Sequence, residues 1–373
     1  MDPLKNVRPE IRDFEPYSPG LSIEEIKEQY GLSRVVKMAS NENPLGASPV
    51  VQKVIQTTAP MAFRYPQPAS PELVKALAEH LNVEPACIVT GNGSDEIIDL
   101  LVRVKARPGI DNIAAFDPCF SVYKLQARLC GVEFRQTRLN KDFSFPWEKL
   151  LALTDRNTAL CFVTTPDNPS GRAPRAGELV ELATNLPDQC LLVVDEAYMD
   201  FAQPREDYSL LPRLESLANV VILRTFSKMY GLAGLRLGYG VMRPWLAEYL
   251  LRVKLPFSVN ILAEKAGLAA LKDKDFLRAT LETVIRGRDY LARGLTELGC
   301  RVYPSQANFL MFEPPQTAPL DANGLFKALL AKGIIIRPLG SYGLPKLLRV
   351  SVGDRSENRE FLAATKEILN REK

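Results

Sequence analysis

The sequence contains a single histidine, His80, among 373 residues. Zinc sites of the H-E-x-x-H type and three-histidine zinc sites each need two or more histidines, so both are excluded. The six cysteines form no C-x-x-C pair, which argues against a thiol-based zinc or redox motif. Cys161 and Cys190 lie within apolar runs and are interpreted as free buried thiols. This cysteine usage predicts a reducing compartment, and we expect a cytoplasmic protein.

The chain also lacks long apolar runs and an excess of one charge. No stretch of 18 apolar residues occurs, so we expect no membrane-spanning helix. The first residues, MDPLKNVRPEIRDFEPY, are polar and predict no secretory signal peptide. The 47 basic residues nearly balance the 44 acidic ones, which leaves a formal net charge of +3. Without a large basic field, nucleic acid is not an expected partner.

The order of apolar and helical patterns predicts an α/β fold. Short apolar runs rich in β-branched residues alternate with helical patterns, which is typical of a mainly parallel sheet between helices. The length predicts about two domains. We expect an N-terminal arm and part of a small domain over residues 1–50, a large domain over 51–265 and a smaller α+β domain over 266–373. The predicted strands of the large domain are residues 87–89, 113–116, 159–163, 191–194 and 220–223.

Helical periodicity is clearest from Pro71 to Leu81, where Ser70 suits the N-cap and Pro71 the first turn. His80 lies near the end of this helix, where the helix dipole favours a partly exposed histidine. In the C-terminal third, the pattern from Leu262 to Leu298 predicts one long helix. The other predicted helices are residues 94–105, 119–130, 175–185, 323–332 and 356–371.

Polar, reactive side chains follow the predicted strands. In open α/β sheets, ligands bind beyond the carboxyl ends of the strands, so these residues are candidates for one shared site. A glycine-rich turn before Ser94 opens a helix, and such a helix start can bind an anion through its free N–H groups. The segments that follow the strands are Thr90–Glu96, Thr164–Gly171, Asp195–Tyr198 and Arg224–Lys228.

Each of these features has an ordinary explanation when taken alone. Asp195 could cap a helix or form a salt bridge, and Lys228 could extend its ammonium group to solvent. Together with Arg236, a good phosphate ligand, they favour a single cofactor. Pyridoxal 5′-phosphate needs a phosphate cradle, an acid beside its pyridine nitrogen and a lysine for its aldehyde. We therefore expect a pyridoxal-phosphate enzyme.

A series of motifs along almost the whole chain supports this interpretation. In the number and order of these motifs, the chain resembles the fold-type I pyridoxal-phosphate-dependent aminotransferases. Among them it resembles the histidinol-phosphate aminotransferase family most of all. The resemblance implies a large domain with a mainly parallel seven-stranded sheet and a smaller α+β domain. The motifs are Pro16-Tyr17, Ser40–Gly46, Arg64–Pro66, Gly91–Glu96, Thr165–Gly171, Asp195–Tyr198, Arg224–Lys228, Gly231–Arg236 and Leu348–Gly353.

The resemblance also implies a role for each cofactor residue. Lys228 is expected to bind the cofactor aldehyde and then to move a proton during catalysis. Asp195 is expected to pair with the pyridine nitrogen, while Asn168 and Tyr198 hydrogen-bond to the 3′-oxygen. Asp95 would contribute its backbone N–H or a cap, because its carboxylate repels phosphate. The expected phosphate ligands are Gly93, Ser94, Asp95, Thr225, Ser227 and Arg236.

Three aromatic residues complete the expected site. The family usually has tyrosine where this chain has Phe120, and stacking on the cofactor needs only the face of the ring. The alternative is that Tyr123 stacks and Phe120 belongs to the core. Tyr65 is expected to reach the phosphate in the other subunit of a homodimer. Tyr17 is expected to close over the substrate from that other subunit.

For the substrate, Arg349 matches the arginine that binds an α-carboxylate, and Arg337 matches the one that binds the substrate phosphate. Asn43 and Asn308 are further candidates. The implied activity is ping-pong transamination of L-histidinol phosphate with 2-oxoglutarate, a step of histidine biosynthesis catalysed by histidinol-phosphate aminotransferases (EC 2.6.1.9). The alternatives are aromatic amino acid aminotransferase, threonine-phosphate decarboxylase and a catalytically silent cofactor-binding module. The silent module would need a DNA-binding domain, which we do not find in the sequence.

Overall fold

The computed structural model describes residues 6–12 and 22–370. In chain order, the strands of this part of the chain are β1 Val36–Lys37, β2 Ile88–Asn92, β3 Asn112–Asp117, β4 Glu133–Arg138, β5 Thr158–Thr164, β6 Leu191–Asp195, β7 Val220–Thr225, β8 Leu237–Val241, β9 Arg301–Val302, β10 Phe309–Glu313, β11 Ile334–Ile335, β12 Arg337–Pro338 and β13 Leu348–Ser351. The α-helices are α1 Pro9–Arg12, α2 Ile23–Tyr30, α3 Pro49–Thr58, α4 Pro71–Leu81, α5 Ser94–Lys105, α6 Ser121–Leu129, α7 Trp147–Leu151, α8 Ala176–Asn185, α9 Pro244–Val253, α10 Ile261–Lys272, α11 Lys274–Glu297, α12 Ala322–Ala331 and α13 Arg355–Leu369.

A seven-stranded sheet in the order β2-β8-β7-β6-β5-β3-β4 forms the centre of the molecule. The neighbours from β7 to β4 pair in parallel, whereas β8 is antiparallel to both β7 and β2. The carboxyl ends of β2, β5, β6 and β7 therefore point to one edge of the sheet. The predicted α/β fold with a mainly parallel sheet of seven strands is confirmed.

Both faces of this sheet are buried, which explains the continuous apolar runs in its strands. On one face, Cys161 and Val194 pack in the same core as Leu179 of α8. On the other face, Leu160 and Val193 pack in the core that contains the inner side of α5. Strands covered by helices on both sides cannot show the polar and apolar alternation of a half-exposed sheet. The loops that follow the central strands therefore start from fully packed strands.

Two smaller sheets lie in the rest of the chain. β12, β13, β10 and β9 form an antiparallel sheet, and β1 pairs in parallel with β11. The pairing of β1 places the chain near residue 36 against a segment some 300 residues later. The predicted domain limits, 1–50, 51–265 and 266–373, stay a prediction.

Two strands of the large sheet were not predicted from the sequence. β4 is only partly buried and carries Glu133, Arg135 and Arg138, so its apolar signal is weak. β8 contains Gly238 and Gly240 and was interpreted only as a phosphate-binding segment. An edge strand and a glycine-rich strand both lack the continuous apolar pattern that reveals the other strands.

The expectation of one helix over 262–298 was wrong. Asp273 separates α10 from α11, and its carboxylate accepts a hydrogen bond from the Phe276 N–H at 3.1 Å, which caps the second helix. The proposed N-cap at Ser70 also needs correction. Ser70 precedes α4 with a positive φ, and its hydroxyl makes no capping bond to the helix, although Pro71 does occupy the first turn.

Across residues 6–12 and 22–370, none of the helices combines the length and the apolar character required to cross a membrane.

Candidate active site

The register of the central sheet brings the strand-end residues together. Thr164 pairs with Asp195 across β5 and β6, and Thr225 pairs with Gly238 across β7 and β8. A cavity of about 390 Å³ opens at this edge and extends to the start of α5. It is lined by Gly93, Ser94, Asp95, Phe120, Thr164, Asn168, Asp195, Tyr198, Thr225, Ser227, Lys228 and Arg236, among others.

One end of this cavity is built to bind an anion. Gly93 has a φ of +75°, which lets the chain turn directly from β2 into α5. Gly238 is required on the neighbouring strand, because a Cβ there would lie 2.3 Å from the Ser94 nitrogen. The free N–H groups at the start of α5 and the hydroxyls of Thr225 and Ser227, which lie 3.0 Å apart, surround this end.

Arg236 adds a positive charge to the same end of the cavity. Its guanidinium lies 3.0 Å from the Asp95 carboxylate, so Asp95 pairs with the arginine and need not face an anion with its own charge. The Gly93 N–H donates to the Arg236 carbonyl at 2.8 Å, which fixes the arginine relative to the glycine turn. The predicted contribution of Asp95 through its backbone is compatible with this arrangement.

Lys228 lines the same cavity. Its ammonium group donates to the Ser40 carbonyl at 3.1 Å and lies 5.7 Å from the centre of the Tyr198 ring. Burial, followed by the positive charge of Arg349, lowers the pKa of Lys228 to about 8. A lysine with such a pKa is partly neutral near physiological pH and can act as a nucleophile or a base.

Asp195 ends β6 and is buried beneath the cavity. One carboxylate oxygen accepts from the Tyr123 hydroxyl at 2.7 Å, and the other accepts from the Ala197 N–H at 3.1 Å. Burial raises the pKa of Asp195 to about 6, while the hydrogen bond from Tyr123 opposes that rise. An ionised carboxylate in this place can bind a protonated ring nitrogen.

A buried ion pair supports the loop that carries Asp195. Glu196 follows it directly and lies 2.5 Å from Arg224, which in turn lies 3.2 Å from Asp200. Glu196 also accepts bonds from the Ser209 hydroxyl and the Leu210 N–H, each at 2.9 Å. Both the Asp195 loop and the loop that leads to Lys228 are therefore fixed by one network of charges.

Asn168 and Tyr198 lie together on the wall of the cavity near Lys228. The Asn168 amide oxygen accepts a hydrogen bond from Arg349, and the Tyr198 hydroxyl accepts one from the Asn41 side chain at 3.0 Å. The Asn41 amide oxygen in turn accepts from the Ser351 hydroxyl at 3.0 Å. Asn41 thus links Ser351 of β13 to Tyr198. Asn41 was not among the candidate site residues predicted from the sequence.

The structure separates the roles of the two aromatic candidates. Phe120 lines the cavity, so its ring is available for stacking. Tyr123 is completely buried, stacks on Phe162 with ring centres 4.4 Å apart, and lines neither of the cavities described for this site. Phe120, and not Tyr123, is placed where it can meet a cofactor.

A second, smaller cavity of about 130 Å³ adjoins the first. The two cavities share Phe120, Asn168, Tyr198 and Lys228. Arg337 on β12 and Arg349 on β13, neighbouring positions of the four-stranded antiparallel sheet, line the second cavity. Its remaining lining residues are Ala39, Ser40, Asn41 and Tyr342.

The two arginines differ in their surroundings. Arg349 is buried, and it donates to the Ala39 carbonyl at 2.9 Å and to Asn168. Its Nε has no hydrogen-bond partner among the described residues, so a buried donor lies in a side chain that lines the cavity. Arg337 is half-buried on β12, with no carboxylate paired to it among the described residues. Both are suited to bind anionic groups of a ligand.

Some predicted site residues lie elsewhere. Asn43 lines neither cavity and instead donates to the Met229 carbonyl at 2.8 Å and to the Thr280 hydroxyl at 3.3 Å. Asn308 also lines neither cavity and donates to the Asn41 carbonyl at 3.0 Å, so it supports Asn41. Tyr65 is 82% exposed, with its ring 4.9 Å from that of Phe257. Tyr17 lies outside the described residues.

Pyridoxal 5′-phosphate is the group that fits this set of residues. The helix start, the two hydroxyls and Arg236 form a cradle for a phosphate dianion. A buried carboxylate and a lysine with a lowered pKa line the same cavity, and these are the two groups that the ring nitrogen and the aldehyde of this cofactor require. Among the described residues, no three or more histidine, cysteine, aspartate or glutamate side chains form a group that could hold a metal ion.

Comparison with known proteins agrees with this geometry. Residues 33–364 match the model of the family "Aminotransferase class I and II", and the chain belongs to that family. The sheet and the site thus define the chain as a pyridoxal-phosphate-dependent aminotransferase of fold type I, as predicted.

Within this family, the chain is similar to enzymes named histidinol-phosphate aminotransferase. It is 60% identical to that of Oleidesulfovibrio alaskensis over 97% of this chain and 95% of the relative. It is 61% identical to that of Nitratidesulfovibrio vulgaris over 98% of this chain and 96% of the relative. The crystal structure of histidinol-phosphate aminotransferase from Sinorhizobium meliloti in complex with pyridoxal-5′-phosphate superimposes with a TM-score of 0.88 at 28% identity, covering 98% and 97% of the chains.

Proposed function

We propose that this chain is a histidinol-phosphate aminotransferase that uses pyridoxal 5′-phosphate. It moves the amino group of L-histidinol phosphate to 2-oxoglutarate and produces imidazole acetol phosphate and glutamate, or the reverse in histidine biosynthesis. The observation that carries the proposal is the pair of joined cavities, one with a phosphate cradle and one with two arginines, which meet at Lys228. The names and high identity of the relatives support the same activity.

Each part of the larger cavity has a role in holding the cofactor. The start of α5, Thr225, Ser227 and Arg236 bind its phosphate, and Phe120 packs against its ring. Asp195 pairs with the ring nitrogen, while Asn168 and Tyr198 donate to the ring oxygen. When bound, the cofactor supplies an aldehyde that links to amines and a ring that accepts the electron pair left by a departing proton.

Lys228 is the group that moves the proton. Because its pKa is lowered to about 8, its Nζ can be neutral near physiological pH and accept a proton from the substrate carbon that bears the amino group. The ammonium then formed beside Ser40 and Tyr198 can return that proton to a neighbouring atom in the same site. One lysine therefore serves as both base and acid.

The two arginines allow one site to accept two different substrates. Arg337 binds the phosphate of histidinol phosphate, which has no carboxylate. Arg349 binds the α-carboxylate of glutamate or 2-oxoglutarate through its bidentate guanidinium. Because the two substrates bind in separate half-reactions, the arginines need not be occupied together.

The active form is a homodimer in the cytoplasm. Several apolar side chains are exposed on one chain, including Phe63 at 74% and Leu255 at 67%, and they favour burial against a second copy. Tyr65 belongs to the same segment of the chain and would reach the cofactor phosphate of the other subunit, with Tyr17 closing over the substrate there. The six cysteines are all free, which fits a reducing compartment.

The substrate assignment is tested by replacing Arg337. In R337A, kcat/KM for L-histidinol phosphate should fall by about 100-fold or more, because a charge-assisted bidentate contact is lost. The half-reaction with glutamate should change by less than about tenfold. Equal losses for the two substrates would contradict the role of Arg337. Faster amino transfer from phenylalanine or tyrosine than from histidinol phosphate would move the function to aromatic transamination, and loss of CO₂ from threonine phosphate would indicate a decarboxylase.

A further inference from the structure

A chain of buried hydroxyl groups lies directly beneath Asp195. The Tyr123 hydroxyl is 2.7 Å from the Asp195 carboxylate and 2.8 Å from the Thr164 hydroxyl. Tyr123 is completely buried, and its ring is held parallel to that of Phe162, with an interplanar angle of 11°. The phenol therefore has a fixed position at the back of the cofactor cavity, although it lines no part of that cavity.

The direction of these hydrogen bonds follows from the number of hydrogens that each group can donate. An ionised carboxylate only accepts, and a phenol has a single hydrogen to donate. Tyr123 therefore donates to Asp195, and the Thr164 hydroxyl donates to the Tyr123 oxygen. The other carboxylate oxygen accepts from the Ala197 N–H at 3.1 Å. Each oxygen of Asp195 thus has one donor from the protein before any ligand binds.

We propose that Tyr123 is a positioning residue that keeps Asp195 ionised and oriented, so that the proton shared with the cofactor stays on the ring nitrogen. The inference rests on the proposed function, because it concerns the same cofactor site. A donor on the far side of the carboxylate stabilises the charged form more than the neutral one. Without that donor, the shared proton would move toward the carboxylate, and the ring would accept electrons less well.

The charges around Asp195 explain why such a donor is needed. Burial raises its pKa, and Asp95 and Glu196 add to the rise as neighbouring negative charges. Tyr198 is a further titratable group close to Asp195, and Cys119 lies near Tyr123. The main opposing influence is the hydrogen bond from Tyr123, followed by the one from the Ala197 N–H. Tyr123 therefore offsets part of the cost of placing an ionised acid in this position.

The test compares Tyr123→Phe with wild type and with Tyr239→Phe. Tyr239 is also buried in the large sheet, but it contacts neither Asp195 nor the cofactor cavity, so it controls for loss of a buried hydroxyl. Cofactor-free protein is titrated with pyridoxal 5′-phosphate over a range of pH, and the dissociation constant is followed by fluorescence. Affinity should fall as pH drops through the titration of Asp195. In Y123F, this midpoint should move upward by about one pH unit, and Y239F should follow wild type.

A second measurement reports the protonation state of the cofactor ring nitrogen directly. With cofactor labelled with ¹⁵N in its ring, the nitrogen chemical shift in Y123F should move toward that of neutral pyridine. The inference is overturned if the midpoint and the ¹⁵N shift of Y123F equal those of wild type. It is also overturned if affinity falls equally at every pH together with the melting temperature, since that would mean a packing role alone. A wild-type chain that does not bind the cofactor would instead overturn the proposed function itself.

Discussion

At the scale of single residues, the environment of Lys228 determines how the site can react. Among the described residues, no acidic group lies within hydrogen-bond distance of the lysine, and the cation of Arg349 is nearby. A buried ammonium with a positive neighbour loses its proton more easily than one in water. The amine of Lys228 supplies the nucleophile, and its buried position beside Arg349 lowers the pKa of that amine.

This environment predicts a pH dependence for cofactor capture. The folded-state pKa of Lys228 is lowered to about 8, so the neutral amine accumulates as pH rises through that value. The rate at which cofactor-free protein captures pyridoxal 5′-phosphate, measured by stopped-flow absorbance, should rise through pH 8 and then level off. In Arg349→Gln, the midpoint should move upward, because a neighbouring positive charge is removed.

Butylamine in place of the protein is the control, since it reports the titration of the cofactor alone. A protein midpoint near the ordinary lysine value, about 10.4, would contradict the account of burial at Lys228.

Two asparagines of the same motif should behave differently when replaced. Asn41 donates to the Tyr198 hydroxyl in the site, whereas Asn43 donates to Met229 and Thr280 away from the cavities. Each alanine variant should lose about 1–3 kcal/mol of unfolding free energy, because buried partners are left unsatisfied. Only N41A should change the steady-state parameters, with a clear fall in kcat. A raised KM for histidinol phosphate in N43A would instead restore Asn43 as a substrate residue.

At the scale of elements, the junction between β8 and the start of α5 forms the anion cradle. Gly238→Ala should push the Ser94 backbone away, because its Cβ would lie 2.3 Å from that nitrogen. We expect the dissociation constant of pyridoxal 5′-phosphate, measured by equilibrium dialysis, to rise at least about tenfold in this variant.

Gly177→Ala provides the matched control for that substitution. Gly177 lies in α8 with no atom within 4 Å of a built Cβ, and alanine favours a helix. This variant should keep wild-type affinity. Unchanged affinity in G238A would mean that the helix start does not determine phosphate binding.

The apolar patterns of the individual elements explain which parts of the fold could be predicted from the sequence. The buried parallel strands have continuous apolar runs, and the polar residues after them were correctly expected to meet at one edge. β4 and β8 lack such runs, because one is a partly buried edge strand and the other contains two glycines. The break at Asp273 depends on one capping bond, which periodicity alone does not reveal.

Site residues that depend on long-range folding were harder to find. Asn41 precedes the large sheet, and Tyr342 follows β12, so neither stands at the end of a predicted strand. The pairing of β1 with β11 and the bond from Ser351 bring Asn41 beside Tyr198. Tyr123 was considered only for stacking, since its contact with Asp195 requires the packing of α6 against the sheet.

At the scale of the whole molecule, a dimer would cover the exposed apolar segment around Phe63. Phe63→Glu should weaken association, because a charge would replace an apolar side chain at the contact. Light scattering coupled to size-exclusion chromatography should show a dimer for wild type and a monomer for the variant, with weaker cofactor binding.

Trp245→Glu is the control for this experiment. Trp245 is 47% exposed at the start of α9, outside the chain segment that contains Phe63 and Tyr65, and the variant should remain a dimer. A wild-type chain that is monomeric and fully active would contradict the shared site.

The central claim is that this chain binds pyridoxal 5′-phosphate at Lys228 and uses it to accept the amino group of histidinol phosphate. The most direct measurement is the visible absorbance of the purified protein before and after L-histidinol phosphate is added, with Lys228→Ala as the control. The account predicts a visible cofactor band that disappears on addition of the substrate and is absent from K228A. A band that persists with histidinol phosphate but disappears with phenylalanine or tyrosine would contradict the substrate, and turnover retained by K228A would contradict the role of the lysine.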